Sequence, residues 1–221
     1  MTNEREIKLI ERFGVLIKFK WRNPFTRGNI ADLLFEKGFE SPPELRFPLI
    51  PPPSETSLIA KKDNTIINYV PEERIIMAIG TNIKSVVSAF EILTSSIEED
   101  IGLKLSETSD YIETTITARI LTKKNPKEAI SNFIELSRLK QFKKVFGMDS
   151  TIFSLRLVPL KNNPTDYEWY DITVEPLIIS PKQYRVNVVY RKPDLKKTME
   201  FTKNIDIIIL KTIEIIEEEK S

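Results

Sequence analysis

The stretch "IDIIILKTIEII", residues 205–216, decides the fold, because eight of its twelve residues are Ile or Leu. Ile205, Ile207 and Ile209 alternate as a strand would, and β-branched side chains favour strands. The same side chains also surround a helical axis, and a helix apolar all round is buried on more than one side. The acidic tail "EIIEEEKS" and a likeness to "TNIKSVVSAF" at 81–90 favour the helix. Residues 194–220 are accordingly read as one long helix, or as a short helix followed by a long one. Its all-round apolarity predicts a sheet on one side. On the other it predicts the helix of another half or a second subunit, so helix 203–219 is the expected surface for a homodimer or protein partner.

Working outward from that helix, the chain repeats itself. "TNIKSVVSAFEIL" pairs with "KNIDIIILKTIEI", setting Asn82-Ile83 against Asn204-Ile205, and "KWRNPFTRGNIADLLF" pairs with "TKKNPKEAISNF". Each half therefore reads strand, helix, several strands, helix. The expected halves are 1–104 and 105–221, both packing helices on one face of an antiparallel sheet: an α+β fold. The order resembles the saddle of TATA-box-binding proteins, and each half resembles helix-grip ligand-binding domains. That likeness lies in element order alone. No paired intercalating phenylalanines occupy matched places, and no motif carries over residue by residue.

The strands are legible by alternation. In "FGVLIKFKWRNP" (13–24), Phe13, Val15, Ile17, Phe19 and Trp21 point one way and Lys18, Lys20 and Arg22 the other, as in a half-buried strand. "SLIAKKDNTIINYV" and "ERIIMAIGT" predict short strands with "KDN" as a hairpin turn. "YIETTITARI" (111–120), "STIFSLRLVPL", "EWYDITVEPLII" and "QYRVNVVYR" supply the strands of the second half. Helices are expected at "TRGNIADLLFEKGF", closed by Gly38, at 81–102 with Thr81 or Asn82 as cap, and at "KKNPKEAISNFIELSRL" with Asn125 as cap. Six of the 14 prolines lie between Pro42 and Pro53. They fall inside the first repeat, which argues for a stiff polyproline arm rather than a linker between domains. Pro48–Pro51 also matches PxxP, a very common pattern.

Composition narrows the chemistry. The 221 residues carry a formal net charge of +1, with no cysteine and no histidine. The usual neutral-pH base, the usual transition-metal ligand and thiol chemistry are thereby removed. High Ile, Lys and Glu with neither Cys nor His fits a thermophilic protein. No apolar run reaches membrane-spanning length and no leader-like h-region opens the chain, so a cytoplasmic location without membrane contact is expected. Gly-rich phosphate loops and GxSxG elbows are absent, and a Ser–His–Asp triad is impossible. No cofactor is implied.

Two constellations remain. Asp166, Glu168, Asp171 and Glu175 gather in "PTDYEWYDITVE" (164–175), as Mg²⁺-dependent phosphodiester chemistry requires. Pro176-Leu177 stands where such a nuclease would place its lysine, so a solvated acidic strand competes with the metal reading. The second is a polar sheet face. Phe153, Leu155, Leu157, Tyr170, Ile172, Val174, Val186 and Val188 are expected to face the helices. That leaves Arg156, Trp169, Asp171, Thr173, Glu175, Arg185, Asn187, Val189 and Arg191 opposite, with Lys18, Lys20, Arg22, Glu113, Thr115, Thr117 and Arg119 from two further strands. Seven cations meet three acids there. Such a face either pairs its own charges across strands or lies on a nucleic-acid backbone or anionic ligand. The expected function is non-enzymatic binding: a small apolar or anionic ligand between sheet and last helix, or a protein partner on its Ile-rich surface. Nucleic acid on the cationic face is the second reading and a Mg²⁺-dependent enzyme the third.

Overall fold

A computed structural model describes residues 5–21, 25–46, 57–133 and 142–218. Arg22, Asn23-Pro24 and the Pro48–Pro51 motif lie outside them. In chain order the elements are β1 (Arg5–Phe19), α1 (Arg27–Glu36), α2 (Pro43–Arg46), β2 (Leu58–Lys62), β3 (Thr65–Val70), β4 (Ile75–Gly80), α3 (Ile83–Ser95) continued by a π-helical turn (Ser96–Asp100), α4 (Leu105–Thr108) and β5 (Ser109–Thr122). Then come α5 (Pro126–Phe133), α6 (Phe142–Phe146), β6 (Leu155–Leu157), β7 (Trp169–Pro176), β8 (Gln183–Lys192), α7 (Leu195–Lys203) and α8 (Ile205–Glu217).

The strands form one eight-stranded sheet in the order β2-β3-β4-β1-β5-β8-β7-β6, antiparallel throughout. The order reads alike outward from the central β1·β5 pair: each half's first strand is followed by its last, third and second. The boundary expected at 104 falls between α3 and β5, and β1 and β5 pair across it from Arg5↔Thr122 to Phe19↔Ser109.

Local chemistry sets the ends of the elements. Thr26 caps α1 in a capping box with Asn29, and Gly38 closes that helix at φ 84°, a conformation that favours glycine. Asn82 caps α3 through the Ser85 amide, and Gly102 follows its π turn at φ 76°. Asp63, at φ 51°, makes the β2–β3 turn expected at "KDN". Part of the proline arm differs from expectation: Pro43 opens a helical turn, with the Leu45 amide donating to the Pro42 carbonyl and the Leu45 side chain buried. Proline at a first helical position loses no hydrogen bond, because that N–H has no partner in any helix.

The stretch 205–216 is helical. Asn204 separates α7 from α8. Ile205, Ile209, Ile213 and Ile216 are buried among the core side chains, while Ile207 and Ile215 are each 55% exposed. Asn82-Ile83 and Asn204-Ile205 each open a helix, α3 and α8. The helix entered after β4 is capped by Asn82, and the one entered after β8 is capped by Asp194, ten residues before Asn204.

The helix-facing side of the sheet holds Phe13, Val15 and Ile17 of β1, Ile67 and Tyr69 of β3, Ile76 and Ala78 of β4, Ile112, Ile116 and Ile120 of β5, and Val186 and Val188 of β8, all buried. Phe90 and Leu93 of α3 close over them. Of the second half's expected inner residues, Leu155, Val174, Val186 and Val188 are buried. Phe153, Leu157 and Tyr170 are exposed, because β6 has three residues and the sheet thins at that edge. Among the described residues no helix is long and apolar enough to cross a membrane.

Candidate functional site: the uncovered face of the sheet

With α1, α3, α5, α7 and α8 packed on one side, the alternate residues of every strand face the other way. Strand register places them in rows. One runs Met77, Leu16, Glu113, Arg191, Trp169; the next runs Ile66, Ile79, Gly14, Thr115, Val189, Asp171; a third runs Arg12, Thr117, Asn187, Thr173, Arg156. The face is divided in kind. On β3 and β4 it is mostly apolar, with Ile66, Val70, Ile75, Met77 and Ile79 around Asn68. On β5, β8, β7 and β6 it is polar and charged.

The expected cations that lie among the described residues do gather here, each engaged by a carboxylate or a backbone carbonyl. Arg191 grips Glu113 at 2.6 Å and stands over the Tyr111 ring, its guanidinium carbon 4.3 Å from the centroid. Arg156 binds both oxygens of Asp171, the shorter contact at 2.6 Å. Arg119 meets Glu11 at 2.5 Å, and Arg185 stands 3.4 Å from Glu11 and 3.8 Å from Glu175. Lys18 donates to the Glu73 carbonyl, and Lys20 to the Glu107 carbonyl at 2.8 Å. Trp169 is 8% exposed and so offers no open stacking surface. The Thr117 hydroxyl donates to the Asn187 side-chain oxygen at 2.9 Å.

The acidic candidates are similarly engaged. Asp171 and Glu175 face arginines, Glu168 lies 4.0 Å from Lys192, and Asp166 accepts from the Asn163 amide at 2.7 Å. Among the described residues no three acidic side chains converge as a metal ion requires.

Glu11 is the residue that sequence reasoning missed. The pairing of β1 with β5 slips between Ile7 and Leu9 and again between Ile10 and Arg12. Each slip inserts an extra residue and re-aims its neighbours. The second turns Glu11 toward Arg119 and Arg185, where it gives two of the face's cations a carboxylate that plain alternation does not place there. The hydrogen bond from Arg119 is the largest cause holding the Glu11 carboxyl below the ordinary glutamate value; the charges of Arg119 and Arg185 add to it, against an opposing effect of burial. A pKa lowered by folding gives stability that is complete above the unfolded-state value and is lost as pH falls through the folded-state value. Glu11→Gln will therefore be less stable than the parent at neutral pH, and the gap will close on acidification. Urea denaturation over a pH series measures it; a pH-independent gap would refute the assignment.

At the centre of the face lies a groove of about 380 Å³. Gly14 is in its floor, Leu16, Met77 and Ile79 form an apolar wall, and Thr115 and Asn187 face them with Arg12 at the rim. A Cβ on Gly14 would stand 3.4 Å from the Ala78 carbonyl, Ile79 Cγ1 and Thr115 Oγ1, so the missing side chain is part of the depression. Glycine inside a strand weakens it and often marks close approach by another molecule. Arg12 differs from its neighbours: among the described residues it is the one guanidinium on this face without a carboxylate in ion-pair range.

The last helix offers less room. The core stripe of α8 is filled, and α8 borders a cavity of about 530 Å³ at its C-terminal end, beside Lys124, Asn125, Glu128 and Asn132. Comparison with known proteins finds no family model, no curated protein and no solved structure that matches this chain.

Proposed function

We propose that this chain is a non-enzymatic binding protein whose contact surface is the uncovered face of its sheet. The observation that carries this reading is the groove at the centre of that face, floored by Gly14, walled by Leu16, Met77 and Ile79, and rimmed by an Arg12 that has no carboxylate in ion-pair range among the described residues. Its volume falls within the few-hundred-Å³ range of small-molecule sites. The small ligand expected between sheet and last helix is thus moved to the opposite side of the sheet, because the isoleucines of α8 fill the inner side.

Oxidative footprinting tests this without knowledge of the occupant. Met77 lies in the groove wall, whereas Met148 is 68% exposed. Hydroxyl radicals should oxidise Met77 more slowly in a native cell extract than in the dialysed pure protein, with Met148 unchanged. Equal rates at Met77 in the two samples would overturn the proposal.

Nucleic acid on the same face is the second reading, supported by the cations carried there. Phosphate contacts at Arg119, Arg156, Arg185 or Arg191 would each have to replace an ion pair already formed, so retention on heparin is expected to be weak and readily reversed by salt. A Mg²⁺-dependent enzyme would need Asp171 and Glu175 released from Arg156 and Arg185. A partner on α8 would have to dock on Ile207 and Ile215.

A further inference from the structure

Resting on the reading of the groove as the binding site, we infer that its occupant is a small amphipathic anion, with the acidic group on Arg12 and the apolar body against Leu16, Met77 and Ile79. The division of the face supplies the argument. Met77 and Ile79 present apolar surface from β4, and Thr115 and Asn187 present hydrogen-bonding groups from β5 and β8. A ligand lying across β1 meets both kinds at once. Gly14 removes the side chain that would otherwise stand between them.

Charge selects the sign. Two ionised side chains border the groove, Arg12 and Glu113. Glu113 is already gripped by Arg191 through two contacts, at 2.6 and 2.7 Å, and its side chain is 12% exposed. Arg12 is exposed and unpaired among the described residues. The uncompensated charge at the rim is therefore positive. A cationic ligand would have to displace Arg191 from Glu113; an anion has only to meet Arg12, whose planar guanidinium suits carboxylate or sulfonate oxygens.

Length is set by the pleat. Arg12 and Gly14 are two residues apart on one face, so the guanidinium root and the middle of the apolar wall are separated by roughly 7 Å. That span fits one or two fused rings, or a short alkyl chain, ending in an acid.

The probe is 1-anilinonaphthalene-8-sulfonate, with N-phenyl-1-naphthylamine as the same body without the charge. Fluorescence titration of the native full chain should show the sulfonate binding about tenfold tighter than the neutral amine. Arg12→Gln should weaken the sulfonate about tenfold and leave the amine unchanged. Gly14→Leu should abolish binding of both, and Thr115→Leu, which fills the groove from β5, does the same work if Gly14→Leu fails to fold. Lys196→Gln, exposed on α7 at the opposite side of the sheet, should change neither.

The outcomes separate the two readings. If the groove-filling variants abolish binding but Arg12→Gln leaves the sulfonate affinity intact, the groove stands and the anion assignment falls. If the filling variants bind as the parent does, or the parent binds neither probe, both fall.

Discussion

Replacing Glu217 by alanine lowers the stability of the folded chain by about 3–5 kcal/mol, the range found when one partner of a buried ion pair is removed. The Glu217 side chain is 1% exposed, and its carboxylate meets Arg5 at 2.6 Å on one oxygen and the Thr122 hydroxyl at 2.6 Å on the other. The position is intrinsically poor for an acid. Glu217 is the last residue of α8, where the helix presents the negative end of its dipole. Arg5, at the start of β1, offsets that, and Lys124 reaches the Glu217 backbone carbonyl at 2.7 Å. The cluster thus fastens the last helix to the first strand and to the end of β5.

Alanine leaves the largely buried Arg5 with only Glu214, 3.9 Å away and half exposed, as a counter-charge, which is where the loss arises. For a chain of this size it corresponds to a fall of roughly 6–20 °C in Tm. Glu217→Gln keeps an acceptor for Thr122 and should lose less. The double change Arg5→Met with Glu217→Leu should recover most of the stability, because an apolar pair of similar bulk has no desolvation penalty to offset. Calorimetry of the three variants is the check, and a Tm for Glu217→Ala within 2 °C of the parent would show the pair to be ornamental. Tyr184, buried nearby, stays neutral throughout: burial first, then the Glu217 carboxylate, raises its hydroxyl far above the ordinary tyrosine value, and geometry gives that hydroxyl no hydrogen-bond partner.

Ile213→Ala is expected to cost about 2–5 kcal/mol, since deleting a fully buried aliphatic side chain loses its transfer energy and leaves a cavity. Ile207→Ser, six residues earlier on the same helix, should change the stability of the monomer by no more than about 0.5 kcal/mol, because Ile207 is largely exposed. The contrast also tests the partner reading of α8. If a second subunit covers the outer isoleucines, Ile207→Ser will lower Tm as strongly as Ile213→Ala, and light scattering will show a smaller particle. If both variants scatter as the parent does and Ile207→Ser melts normally, α8 belongs to the core alone.

Some of this was legible without coordinates. The strands 169–176 and 183–192 pair without a slip, so simple alternation put Arg156, Asp171, Glu175, Arg185 and Arg191 on one face. The cap at Asn125, the cap at Thr81 or Asn82, and the closing glycines 38 and 102 were equally readable, because each is a local bond or a local dihedral angle. Other features defeated the pattern. Residues 5–12 of β1 went unrecognised as strand, since two bulges break the period of two in "REIKLIER". The same bulges hid Glu11, the acid that pairs with Arg119 and Arg185.

What this sequence determined by itself was the kind and phase of its elements: a half-buried sheet, helices to cover one side of it, and an Ile-rich final helix too apolar to stand in water. Those follow from hydrophobic periodicity, which acts over a few residues. Only the tertiary structure decided which charges pair, and that Gly14, Met77, Thr115 and Asn187 border one depression. Pairing and shape of that sort depend on which strands become neighbours, and neighbours 60 or 100 residues apart in the chain leave no mark on local pattern.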